Sequence, residues 1–124
     1  IDVEVFNNEV YAVVRDTLFK QNGNSWNAIY SDTAYKFVNI RTSLNQLLIC
    51  ETDTAFNASR ILSYNGNTFT NIFPNGSGLG SIQDALFIND SVMYIADLNT
   101  GLYRIENEKR ESLIPNGPGS GNIA

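Results

Sequence analysis

The chain has 124 residues, a size that suits one ordinary domain, and its 43% apolar content is enough to build a core. A net charge of −5 argues against nucleic acid or an anionic membrane as partner, and no stretch approaches the roughly 18 apolar residues that span a bilayer. There is no histidine, so Ser-His-Asp, Cys-His and His-based zinc sites are impossible within the chain.

Seven Phe, six Tyr, nine Gly and many Asn and Thr, with no helical run of Ala, Glu and Lys, mark the chain as strand and turn. From the N-terminus, apolar runs bounded by turn residues predict strands at 3–6, 10–14, 18–20 and 25–30. A second set follows at 37–42, 47–51, 60–64 and 68–73, and a third at 82–88, 92–96, 102–105 and 109–114. Residues 119–124 begin one more strand. Ile1 falls inside or just before the first strand, so the chain reads as a processed or excised piece and the lack of a signal peptide says nothing about secretion. The single cysteine, Cys50, lies in the apolar run Leu47-Leu48-Ile49-Cys50, which predicts a buried, inert thiol.

These sets repeat. Pro74–Ile82 reads PNGSGLGSI and Pro115–Ile123 reads PNGPGSGNI, with six of nine positions identical at an offset of 41. Leu18–Ser31 matches Ile61–Pro74 at an offset of 43, with Trp26 on Phe69. Asn22-Gly23 and Asn65-Gly66 recur between apolar runs and predict type I′ hairpin turns, while Glu106-Asn107 holds that place in the third unit. A fixed period of strand-rich units predicts an all-β fold, a β-propeller fragment of three four-stranded antiparallel blades. The blades span about 1–33, 36–76 and 81–117, with 118–124 starting a fourth. A β-sandwich of hairpins is the competing fold, and the in-register repeat counts against it. Propellers typically close with about four to eight blades, so the partners expected are the remaining blades of a parent propeller or a second copy of this chain.

Within each blade the strands are designated A to D in order. Asp16, Asp53 and Asp97 each follow a B strand, so stacking is expected to gather them toward one rim. Glycoside hydrolysis needs two carboxyl groups roughly 5 to 10 Å apart, and that placement suggests a site. Aspartate also supports turns by binding nearby backbone N–H groups, which is the plainer role. Tyr35 and Phe56 are placed in connections, where an aromatic either stacks on a sugar or peptide or folds back on its own blade. Asn99 joins them from the 97–101 connection. Trp26 reads as blade packing. The glycine phrases lack the Walker lysine and a following helix, so no phosphate cradle is expected, and no D-x-D-x-D-G calcium loop occurs. No metal and no cofactor is implied.

Met93-Tyr94-Ile95-Ala96-Asp97, Gly101-Leu102-Tyr103-Arg104-Ile105 and Pro115-Asn116-Gly117-Pro118 resemble the regulator-type propeller repeats of Bacteroidetes. Within that group the phrasing is most similar to the sortase-associated PorZ-type propellers of the type IX secretion system. The first unit departs from the pattern, because Leu18-Phe19-Lys20 lacks a preceding Gly and Ser31-Asp32-Thr33 replaces Pro-Asn-Gly. The resemblance implies an extracytoplasmic, non-enzymatic scaffold or recognition module that contacts secretion-system proteins or a glycan. Its alternative is the periplasmic sensor of a hybrid two-component regulator that binds an oligosaccharide. Asp16-Thr17-Leu18, Asp32-Thr33-Ala34, Asp53-Thr54-Ala55 and Asp90-Ser91-Val92 also look like the Asp-Ser/Thr-aliphatic acceptor of O-glycosylation in those bacteria.

Overall fold

The computed structural model describes residues 2–53, 58–72, 80–107 and 109–113. The first sheet is a meander of β1 (Asp2–Phe6), β2 (Glu9–Val14), β3 (Thr17–Asn22) and β4 (Ser25–Ser31). The second holds β5 (Tyr35–Ser43), β6 (Gln46–Asp53), β7 (Ser59–Tyr64) and β8 (Phe69–Asn71). The third holds β9 (Ile82–Asn89), β10 (Val92–Asp97), β11 (Gly101–Glu106) and β12 (Lys109–Ser112). Neighbours pair antiparallel throughout. The fold is all-β, three four-stranded antiparallel blades of a propeller-type fragment.

Most strands run one or two residues past the apolar runs, because the hydrogen-bonded ladder continues into polar residues such as Gln21 and Asn22. β8 and β12 are shorter than expected. Most of the first glycine phrase, at 74–79, lies outside the described residues, as do the second, from Pro115 onward, and the strand expected at 119–124.

The hairpin turns differ from expectation in a physically legible way. Asn22 pairs with Ser25, so the loop is Gly23-Asn24, and Gly23 alone has a positive φ, 65°. That is the type II′ pattern, which needs the glycine only at its first loop position. The type I′ pattern occurs instead at Asn7-Asn8, with φ of 53° and 62° between the paired residues Phe6 and Glu9. In the second blade the Asn65 side chain accepts the N–H groups of Asn67 and Thr68, and Gly66 takes φ 103°.

Strand alternation sends side chains to two faces of each blade. Tyr11, Val13 and Leu18 of the first blade meet Leu47, Ile49 and Leu62 of the second in one core. Leu48, Cys50 and Ile61, on the other face of the second blade, meet Ala85, Met93 and Ile95 of the third. Cys50 is buried as expected, and that burial pushes its thiol pKa up, so it stays protonated and unreactive.

The A strands are stitched along their otherwise free edges. Asp2 accepts the N–H of Ile40 at 3.1 Å and Glu4 that of Thr42 at 2.9 Å. Between the next pair, Arg41 donates Nε and Nη2 to the two carboxylate oxygens of Asp84 at 2.9 and 2.5 Å, and Phe87 N–H reaches Ser43 Oγ at 2.8 Å. Polar side chains thus satisfy edge N–H groups that a lone strand leaves open.

The B–C turns and the crossings between blades gather at one end of the stack. Asp32 N–H donates to Asp16 O, Phe37 N–H to Arg15 O, and Ile82 N–H to Ser59 Oγ.

Candidate functional site

That end carries all the described candidate residues, but it does not assemble them into one cluster. Asp16 sits in the β2–β3 turn and accepts the Thr17 hydroxyl at 3.0 Å. Asp53 and Asp97 are the last residues of β6 and β10 rather than connection residues. The Asp53 N–H donates to Ala58 O at 2.9 Å, and the Asp53 carboxylate accepts the Ala58 N–H at 3.3 Å. Phe56 lies outside the described residues.

Asp97 is buried, and its carboxylate is filled from two sides. Oδ1 takes the Ser81 N–H at 2.9 Å, while Oδ2 takes Asn99 N–H, Thr100 N–H and the Thr100 hydroxyl at 3.2, 3.1 and 2.8 Å. Asn99 is exposed and enters only through its main chain. The plainer role, turn support, is what these contacts display.

The three aspartates are also not repeat equivalents. Glu51 pairs with Arg60, and Asp97 pairs with Gly101, the residue 41 positions after Arg60. Asp97 therefore corresponds to Glu51, and the matching residue of the first blade is Val14, paired with Thr17. Among the described residues no group of three metal-ligating side chains occurs.

Tyr35, expected in a connection, is instead the first residue of β5, directly opposite Asp53. Its ring lies under the Arg60 guanidinium, 4.0 Å from carbon to centroid. Arg60 is held from three further directions. Nε donates to Glu51 Oε1 at 2.6 Å, and Nη2 donates to Tyr30 OH at 2.7 Å and Asp32 Oδ2 at 2.5 Å. The guanidinium thus bridges the first two blades, drawing on the ends of β4 and β6, the starts of β5 and β7 and the crossing at Asp32.

Its surroundings are strongly polarised. Glu51 is wholly buried, and burial pushes its pKa up against the lowering pull of Arg60. Its Oε2 has no hydrogen-bond partner among the described residues, so ionising this carboxyl costs more here than in water, and the pair with Arg60 offsets part of that cost. The Ala34 N–H and then Arg60 hold Asp32 below its usual range. Burial works against the Arg60 charge, but the bonds to Glu51 and Asp32 outweigh it and raise the pKa. Tyr30 is pushed up to about 12, first by burial and then by the Glu51 charge.

Arg60, Glu51, Asp32 and Tyr30 escaped the sequence reading. A signal was present in the row Leu47, Ile49, Glu51, where an acid replaces the third apolar member of an inward-facing set. Neither a family model nor a curated protein matches the sequence.

Proposed function

We propose that the chain is a non-enzymatic recognition segment of a surface or secretion-associated propeller, with its binding end at Tyr35 and Arg60. The stacked pair carries this reading. An aromatic ring and a guanidinium, fixed by Glu51, Asp32 and Tyr30, form a rigid platform that is ordered before any ligand arrives. Arg60 retains 21% side-chain exposure, and Tyr35 is partly exposed. Carboxylates already surround the guanidinium, which disfavours an anionic ligand and favours stacking of a neutral one. A sugar ring or the flat face of a peptide meets that requirement. Asp53, opposite Tyr35, and Asp97, in the third blade, accept backbone N–H groups, a positioning use rather than acid–base work.

The test is a titration of isotope-labelled chain with neutral oligosaccharides and short uncharged peptides, followed by amide chemical shifts. Shifts centred on 30–37 and 58–60, lost in Tyr35→Ala, are expected. Shifts centred elsewhere, or binding unchanged in Tyr35→Ala, would sink the proposal.

A further inference from the structure

The blades have direction. Let the front of a blade be the face turned toward the next blade and the back the face turned toward the previous one. At the first junction, front residues Tyr11, Val13 and Leu18 pack on back residues Leu47, Ile49 and Leu62. At the second junction, front residues Leu48, Cys50 and Ile61 pack on back residues Ala85, Met93 and Ile95. Among the described residues two faces then remain uncovered, and they are of opposite kind. The front of the third blade presents Tyr94, Ala96 and Leu102, which occupy the repeat positions of Tyr11, Val13 and Leu18. The back of the first presents Ala12, Phe19 and Trp26, at the positions of Ile49, Leu62 and Phe69.

Among the described residues both faces carry an open apolar patch, bordered on the third blade by Arg104 and its ion pairs with Glu106 and Glu111. Ala12, Val14, Phe19 and Trp26 line a groove of about 290 Å³, and Trp26, Val3 and Val5 are 45%, 59% and 58% exposed. On the third blade Leu86, Tyr94, Ala96 and Leu102 line a hollow of about 180 Å³ together with Asp84 and Ala85. The edge N–H groups repeat the pattern. Val3 matches Ile40, whose N–H is taken by Asp2 of the preceding blade, but among the described residues the Val3 N–H reaches only the carboxylate of its own neighbour Asp2, at 2.9 Å. Asp84, on the third blade, holds the position that Asp2 holds on the first, although its carboxylate is already engaged by Arg41 of the second blade.

We propose that a second copy of this chain docks head to tail, with the front of its third blade on the back of the first. Each face then receives the kind of surface that its repeat equivalent already receives inside the chain. The pairing is heterologous, so it closes a ring if the rotation permits and extends if it does not. It is independent of any ligand at Tyr35.

Light scattering across a concentration series of the 13.8 kDa chain, run beside two variants, tests this. Ala12→Arg blocks the back and Ala96→Arg blocks the front. Wild type is expected to form dimers or longer assemblies. Each variant alone is expected to be monomeric, with association weakened at least tenfold, and a one-to-one mixture is expected to recover a dimer through the two unblocked faces. Circular dichroism checks that each variant keeps its strand spectrum. If an arginine unfolds its chain, Trp26→Ser and Leu102→Ser carry the same test. A wild type that stays monomeric overturns the proposal, as does a single variant that still associates, which would mean like faces pairing.

Discussion

Glu51 is a carboxyl whose ionisation burial resists, and its pH signature can be separated from that of its neighbour. A carboxyl with a raised folded pKa gives its full stabilisation below its unfolded value, about 4.3, and loses it as pH rises through the folded value. Asp32 has the opposite sign. Its lowered pKa gives stability that is present above about 3.9 and lost as pH falls through the folded value. Glu51→Gln keeps an acceptor for Arg60 Nε and removes the titration. Urea midpoints from pH 3 to 8 should show the variant losing the decline above about pH 4.3 while keeping the acid-side decline. Parallel profiles for variant and wild type would mean that burial of Glu51 is not what couples stability to pH.

At the scale of the element, one carboxylate organises the third blade. Asp97 closes the β10–β11 turn through Asn99 and Thr100, and its second oxygen holds Ser81 at the entry to β9. Asp97→Ala strands several N–H donors at a buried position and is expected to lower stability by about 2 to 4 kcal/mol. Asp97→Asn, which keeps one acceptor oxygen, is expected to lose less. Equilibrium urea unfolding measures both, and a loss under about 1 kcal/mol in the alanine variant would show that the turn holds without its cap.

The same element shows what the sequence could and could not disclose. Alternation and period placed the twelve described strands, because burial on two blade faces forces a two-residue rhythm that survives in the text. Turn types were less legible. Asn7-Asn8 lacks glycine yet takes the type I′ geometry, whereas Asn22 stays in its strand. The Arg60 site was hidden for a different reason. Its members come from 30 to 60 along the chain and from two blades, and only the crossing from β4 to β5 brings Asp32 and Tyr30 against Arg60. Asp97 stood out by its place after an apolar run, which marks a turn more directly than a ligand site.

For the molecule as a whole, stability is distributed unevenly because the blades differ in how many neighbours they have. β6 lies between both cores, with Leu47 and Ile49 on one side and Leu48 and Cys50 on the other. The four residues of β12 are all exposed, and among the described residues the strand pairs on one side only. Local openings therefore cost least at the ends and most at the centre. In hydrogen exchange, the amides of β6 are expected to open only with global unfolding, and those of β12 to exchange first. Concentration then separates intrinsic order from association. Head-to-tail docking covers the back of β2 and the front of β10, so openings of the first and third blades should become rarer as the chain is concentrated, and β6, which opens only when the whole chain unfolds, should slow with them by mass action. End-blade amides that exchange at the same rate at every concentration would show that docking leaves those blades free to open.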